Sequence, residues 1–394
     1  MSALTPTGLY IHIPFCRLKC SYCDFNTYAG LDSLIPTYVN AICLEIDHYN
    51  HEHRQTQINT IFFGGGTPSL LPLKSFETIL SKIKSTFILQ PGVEMTLEAN
   101  PGTLTRDYLK SLFDIGLTRI SIGAQSASTS ELQLLDRLHT FADVIKAYKA
   151  ATQAGFNLIN IDLIYGLPKQ SEQSWEDTLT RVAALSPQHL SLYELTLEHG
   201  TPMQAKVSSG YLPKPKSDTA ANMYEYATSY LDTYKYKQYE ISNWAKTNDY
   251  IECRHNLQYW RNQPYIGIGA GAHSWYKQHR YSNTKSPYGY IDRLLSTNNK
   301  KIADNFPGST AMTQSTYIDK TTEMNETMML GMQLILDGVS HSTFYNRFNI
   351  VLADQYEAIL NHLSMQGLIT IGTTNVRLTP SGRLLANRVF SEFI

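Results

Sequence analysis

The chain has 394 residues, 42% hydrophobic and 17% charged, with 33 Lys and Arg against 34 Asp and Glu for a net charge of −1. That length exceeds what one hydrophobic core usually supports, so two or three domains are expected. The balanced charge gives no field to draw nucleic acid or an anionic membrane, and a Gly plus Pro share of about a tenth excludes collagen-like and low-complexity chains.

The first half alternates short apolar runs with helix-period stretches. Strands are expected at 8–14, 59–64, 93–99, 119–123, 158–164 and 189–195. Between them, Ile35, Val39, Ile42, Ile46 and Tyr49 make one helical stripe. Thr105 caps a helix carrying Tyr108, Leu109, Leu112 and Phe113, which Gly116 stops. Ser128 with Glu131 reads as a capping box. Val144, Ile145 and Tyr148 lie on a helix ended by Gly155, and Trp175, Leu179 and Val182 mark another. Six strands alternating with helices need crossover connections, so the class is α/β with a parallel sheet.

The unusual residues follow these strands: a cysteine cluster, a Gly64-Gly65-Gly66-Thr67-Pro68 loop, Glu98-Ala99-Asn100-Pro101-Gly102, Gly123-Ala124-Gln125-Ser126, and Asp162 ahead of Gly166-Leu167-Pro168. In a closed or partly closed barrel the C-terminal strand ends share one face, and that face carries the active site.

After Gly200 the texture changes. Lys206 to Ser217 reads as a linker, Tyr224 to Tyr236 as a helix, and the stretch through Trp275 as irregular aromatic segments. A polar connection is expected over 296–322. Helices follow at 323–336, 342–348 and 354–366, then a hairpin at 368–378 and a last helix from Pro380, an order that is winged-helix-like. Its third helix has no Lys or Arg and carries Asp354 and Glu357, so a structural or lid role is expected rather than DNA binding. The domains expected are thus 1–210, 211–300 and 320–394. No apolar run nears the ~18 residues of a membrane span, and the first basic residue is Arg17, so a soluble cytoplasmic protein without a secretory signal is expected.

Cys16, Cys20 and Cys23 stand in C-x3-C-x2-C spacing, three of five cysteines within eight residues. Structural zinc wants four ligands, and a ferredoxin-type cluster brings a nearby fourth cysteine. Cys43 lies on the apolar stripe, while Cys253 is remote in sequence and stays open as a further ligand. The spacing suits a cubane cluster with three thiolates and one iron free for a small molecule.

The segments GLYIHIPFCRLKCSYCDFN, FFGGGTPSLL, LEANPGT, RISIGAQS, NIDLIYGLP and HLSLYELTLEHGTP, in order from Gly8, resemble the radical S-adenosylmethionine (SAM) enzymes, within them the oxygen-independent coproporphyrinogen-III-oxidase-like group. The resemblance implies a partial (β/α)6 radical-SAM barrel with a smaller C-terminal α+β domain. It implies a [4Fe-4S] cluster on Cys16, Cys20 and Cys23, with SAM on the open iron. SAM contacts carried over are Tyr10, Tyr22, Gly65, Gly66, Thr67, Glu98, Gln125, Arg137 and Asp162. Glu98 is matched to the ribose hydroxyls and Arg137 to the SAM carboxylate.

Within the group, the oxidases carry a further Cys two positions after the third ligand, where this chain has Phe25, and a longer segment before the motif. Both departures match the haem-chaperone subgroup. Cys253-Arg254-His255-Asn256-Leu257-Gln258-Tyr259-Trp260 supplies an axial-ligand type beside flat aromatic residues. The resemblance assigns His255, Asn256, Tyr259 and Trp260 to haem, with Cys253 as the alternative ligand; His12 and His273 are expected to be structural. The implied function is delivery of haem to apo-haemoproteins such as membrane-associated respiratory enzymes. The alternative is a SAM-cleaving coproporphyrinogen oxidase, and RNA modification is disfavoured by the charge.

Overall fold

The computed structural model describes residues 6–49, 56–247, 251–296 and 308–394. Strand β1 (Thr7–Ile13) runs into a two-residue strand, β2 (Phe15–Cys16), which pairs with β3 (Tyr28–Ala29) across the cysteine loop. Then α1 (Ile35–His48) precedes β4 (Gln57–Gly65), α2 (Leu73–Thr86) precedes β5 (Ile88–Ala99), and α3 (Arg106–Asp114) precedes β6 (Arg119–Gln125). Helices α4 (Thr129–Leu134) and α5 (Phe141–Ala154) lead to β7 (Leu158–Tyr165), and α6 (Glu172–Ala183) to β8 (His189–Glu194). The strands β1-β4-β5-β6-β7-β8 lie side by side and all parallel, as the alternating pattern predicts.

Helices α7 (Pro202–Ser208) and α8 (Ser217–Thr233) come next. The stretch that reads as irregular in sequence then extends the sheet at both ends. β9 (Tyr236–Glu240) and β10 (Asn243–Lys246) form a hairpin against β8. After α9 (Arg254–Trp260), β11 (Tyr265–Ile268) pairs parallel with the other side of β1. β12 (His273–Tyr276), β13 (His279–Asn283) and, after α10 (Pro287–Leu295), β14 (Met312–Tyr317) follow antiparallel. The result is one twelve-stranded sheet. Strands of four to six residues are too short for periodicity to separate from coil, which is why they read as loops. Part of the expected polar connection, 297–307, lies outside the described residues.

The strand alternation sorts the two faces of the sheet. Met95, Leu97, Ile120, Ile122, Ile159, Ile161, Leu190 and Leu192 join the core shared with the helices. The residues between them are polar and bond one another inside the barrel: Ser121 to Asp162 (2.8 Å), Asn160 to Ser191 (2.9 Å), and His189 to Asn160 (2.7 Å). Buried polar groups are tolerated because they are paired.

Ala220, Met223, Trp244, Ile266, Ile268 and Tyr290 belong to the same core as Leu9 and Ile61. The 211–300 stretch therefore shares the barrel's core. The tail builds a second core around Met328, Phe344, Leu360, Val376 and Val389. It comprises α11 (Lys320–Gly331), α12 (His341–Phe348), α13 (Leu352–Gln355), α14 (Glu357–Met365), α15 (Pro380–Leu384) and α16 (Ala386–Ser391). Its strands β15 (Val339–Ser340), β16 (Ile369–Ile371) and β17 (Asn375–Leu378) form an antiparallel sheet. The helix expected over 354–366 is broken at Tyr356, whose ring packs with Phe344 and Phe393.

The tail docks beside α9 and β9. Arg347 donates to the Asn262 carbonyl (2.8 Å) and pairs with Glu323, while Ile335 N–H donates to the Tyr239 carbonyl (3.0 Å). Residues lining the main cavity end at Glu198, so the tail is not the lid the sequence allowed for. Local signals mostly held: Thr105 accepts from Tyr108 N–H (3.3 Å), and Gly155 ends its helix at φ +108°. The exception is Ser128, which makes no capping bond. Its presumed partner Glu131 turns inward to the hydroxyls of Ser126 and Ser174 (both 2.6 Å), and the true capping box is Thr140 with Asp143.

Candidate cluster and cofactor site

The C-terminal strand ends open on a cavity of about 660 Å3. Cys16, Cys20 and Cys23 are free, half-buried thiols in its wall. Their loop is tied down from outside: Met203 N–H donates to the Ser21 carbonyl (2.8 Å), and the Ser21 hydroxyl to the Leu134 carbonyl (3.2 Å). Tyr22 packs on the small core of Leu135, Leu167 and Met203 beneath the loop and lines the cavity. All three sulfurs have a polar partner: the Thr67 hydroxyl donates to Cys16 Sγ (3.6 Å), Arg137 to Cys20 Sγ (3.8 Å), and Thr27 Oγ1 lies at 3.9 Å from Cys23 Sγ. Burial raises the Cys16 and Cys23 thiols, and the hydroxyl contacts act against it towards the thiolate, the form that binds metal. Among the described residues, no three His, Cys, Asp or Glu side chains converge on a single-ion position. A cubane takes one thiolate per corner iron and suits thiols spread along a loop.

The glycine loop approaches closely. At Gly65 (φ +115°) a Cβ would meet the His12 ring at 2.5 Å, and at Gly66 one would meet the Phe15 carbonyl at 2.6 Å and Cys16 Sγ at 3.0 Å. Gly65 N–H donates to Glu98 (3.0 Å), Gly66 N–H to the Ile13 carbonyl and Thr67 N–H to the Phe15 carbonyl (both 2.8 Å). With these donors used internally, the loop presents acceptors, which suits an ammonium group.

Glu98 and Asp162 face the same cavity. Burial, then the neighbouring Asp162 carboxylate, pushes Glu98 up to about 7. Burial likewise lifts Asp162 to about 6, against bonds from Ser121 (2.8 Å) and Asn160 (2.7 Å). Neither is a helix cap. Gln125 sits at φ +68°, after a break in register at the end of β6, and its amide lies over Gly123, where a Cβ would meet Nε2 at 2.9 Å. A strained non-glycine residue at a cavity is a mark of function. Arg137 is anchored to the Gly123 carbonyl (2.8 Å), and its Nε is buried without a partner.

His139 was missed by the sequence reading. Its Nε2 bonds the Ala124 carbonyl (3.0 Å), its Nδ1 is buried without a partner, and burial, then Arg137, holds its pKa down to about 4. Ser121 and Asn160, which position Asp162, were missed too. Their period-two spacing from Gly123 and Asp162 was the available signal.

Two sets of expected residues are not at the cavity. Tyr10 lies deeper in the barrel, bonded to His12 Nδ1 (3.1 Å) and stacked on Phe62. The His255 segment, α9, plugs the opposite end. His255 is 1% exposed, with Nδ1 bonded to Thr60 (2.8 Å) and Nε2 to the Tyr259 hydroxyl (2.9 Å), and burial lowers its pKa to about 3. Glu94 accepts from His255 N–H (3.1 Å), and buried Arg119 pairs with Glu94 and donates to the Ile251 carbonyl (2.8 Å). Both His255 ring nitrogens are thus hydrogen-bonded within the protein. Burial, then the Glu94 carboxylate, pushes the Cys253 thiol up to about 12. Asn256, Tyr259 and Trp260 are half-buried on the same helix, Tyr259 edge-on to Tyr265.

The fold and this site define a radical SAM protein. Residues 10–182 match the radical SAM superfamily model and residues 318–385 the HemN C-terminal domain. In structure the chain is similar to coproporphyrinogen III oxidase (HemN) from Escherichia coli, with a TM-score of 0.83 covering 99% of this chain and 90% of that one at 23% identity, a likeness of fold. In sequence it is 33% identical to the haem chaperone HemW of Bacillus subtilis over 388 residues, 98% of each chain. It is 39% identical over 275 residues to HemW of Escherichia coli, covering 69% of this chain and 71% of that one. Over 272 residues it is 37% identical to mouse radical S-adenosyl methionine domain-containing protein 1, mitochondrial, 69% of this chain and 61% of that one. The chain belongs to the HemW family.

Proposed function

We propose that this protein is a haem chaperone that carries a [4Fe-4S] cluster and SAM and delivers haem to apo-haemoproteins. The observation that carries the reading is Phe25. It stands exposed at the cavity lined by Cys16, Cys20 and Cys23, where the oxygen-independent coproporphyrinogen oxidases have a further cysteine. Kinship over 98% of the chain with a protein named haem chaperone supports it.

Cys16, Cys20 and Cys23 would hold the cluster, with SAM beside it in the same cavity. Bound there, cluster and SAM supply one-electron chemistry at a sulfonium. Arg137 pairs with the carboxylate through its fork. Carbonyl oxygens of the Gly65-Gly66-Thr67 loop would accept from the SAM amino N–H, Glu98 would accept from the ribose hydroxyls, and Gln125 and Asp162 border the same space. Recipients of haem in this reading include membrane-associated respiratory enzymes, met from the cytoplasm. Among the described residues no helix is long and apolar enough to cross a membrane.

The second reading, SAM-dependent coproporphyrinogen oxidation, is favoured by the fold likeness to HemN. One experiment separates the two. Anaerobically reconstituted protein is titrated with haem and, in parallel, supplied with coproporphyrinogen III, SAM and reductant. A one-to-one Soret band, haem transfer to an apo-haemoprotein and no porphyrinogen product are expected. Product formation without haem transfer would promote the oxidase.

A further inference from the structure

Inside the barrel, side chains from β7, β8 and β9 form one chain of hydrogen bonds that runs from the cavity to α9. At the cavity end, Asn160 Nδ2 donates to the Asp162 carboxylate (2.7 Å), and the same amide group meets the Ser121 and Ser191 hydroxyls (2.7 and 2.9 Å). Asn160 Oδ1 then faces His189 Nδ1 (2.7 Å), because a flipped amide would set its oxygen against the carboxylate. Beyond it, His189 Nε2 meets the Tyr239 hydroxyl (2.9 Å), whose oxygen accepts from Cys253 N–H (3.2 Å) at the start of α9. His189 is 1% exposed, and burial, then Arg119, holds its pKa well below the ordinary value, so the ring is neutral. A neutral ring that donates from Nδ1 accepts at Nε2. The directions therefore agree at every link: Cys253 N–H to Tyr239, Tyr239 O–H to His189, His189 N–H to Asn160, and Asn160 N–H to Asp162.

No side-chain cap closes the N-terminus of α9. Its first N–H groups, which a helix cannot satisfy internally, are held from outside, Cys253 N–H by Tyr239 and His255 N–H by Glu94 (3.1 Å). We propose that His189 is a positioning residue that couples the cavity to α9, so that a ligand ordering Asp162 also orders the start of that helix. The proposal rests on the reading of the cavity as the SAM site. Bonds in a buried chain polarise one another, and a carboxylate held at one end strengthens those behind it. The coupling is reciprocal: SAM seats α9, and a seated α9 tightens SAM. Since α9 carries the residues that the resemblance assigns to haem, the hold on that segment answers to occupancy of the cavity.

The test is backbone hydrogen exchange of the full, cluster-reconstituted chain, read over residues 251–261 with and without saturating SAM. In the wild type SAM should slow exchange at the start of α9 severalfold. In Tyr239→Phe, which keeps the ring and removes the hydroxyl, α9 should exchange faster and at one rate with or without SAM, while SAM still binds. Tyr259→Phe, which frees a bond on α9 outside the chain, should loosen the helix and keep the response to SAM. A merely structural Tyr239 would raise both rates by one factor and leave their ratio at the wild-type value, and that result overturns the proposal. If Tyr239→Phe loses iron, His189→Asn decides: its amide takes the place of Nδ1 and leaves nothing for Tyr239, so the response should vanish there as well. A wild type that binds SAM without any change at α9 removes the coupling and leaves the cavity reading intact. SAM that does not bind the wild type overturns that reading, and the coupling with it.

Discussion

Two residue-level assignments are open to direct test. Replacing Cys16, Cys20 or Cys23 by Ala should abolish the broad visible absorbance of the reconstituted protein and most of its iron. Cys43, buried on α1, should cost only packing, about 1 kcal/mol. A full iron complement in the Cys20 variant would refute the cluster assignment. Glu98 gives a pH signature. Its carboxyl is raised from 4.5 to about 7 by burial and by Asp162, so the folded chain prefers it protonated. That contribution to stability is complete below pH 4.5 and is lost as pH rises through about 7. Without ligands, Glu98→Gln should therefore gain in Tm relative to wild type between pH 5 and 8, while its SAM Kd rises severalfold. A Tm difference constant across that range would show that Glu98 ionises freely. The carboxylate is thus held at a cost to the empty protein for the sake of its ligand.

At the scale of elements, α9 is the informative case. The sequence sets His255 and Tyr259 one helical turn apart, as a ligand type beside an aromatic; the fold buries His255 between the Thr60 and Tyr259 hydroxyls. His255→Ala removes two hydrogen bonds and leaves a cavity, so a loss of about 2–4 kcal/mol in chemical unfolding is expected, with iron content unchanged. Tyr259→Phe, which deletes one bond, should cost about 1 kcal/mol. In folded His255→Ala the Soret maximum should stay where it is in the wild type. A shifted Soret band with little loss of stability would mean the ring leaves Thr60 and Tyr259 to bind iron. The cysteine loop behaves in the opposite way: its spacing was fully legible, because ligand geometry is imposed within eight residues.

At the scale of the molecule, two cores meet along α9, β9 and α11. Arg347 spans the junction, bonding the Asn262 and Arg261 carbonyls and Glu323. Arg347→Ala should lower stability by about 1–3 kcal/mol, or split unfolding into two transitions, without changing iron content or SAM binding. A loss of SAM affinity would instead reveal coupling from the tail to a cavity it does not line.

The six parallel strands, the cysteine motif, the glycine loop and the separate tail core were all readable from the residues. Each is governed by interactions local in sequence: periodicity of two or 3.6, caps, and ligand spacing. The short strands β9 to β14 were not readable, since pairing with distant β8 and β1 is what makes them strands. The polar barrel interior likewise exists only once Ser121, Asn160, Asp162 and Ser191 are brought from three strands to bond one another. The surroundings of His255 were set the same way. Its imidazole could serve several roles, and the partners it bonds in the fold come from β4 and from the next turn of α9. Local sequence set which side chains were available, and long-range packing decided which of their atoms remained free.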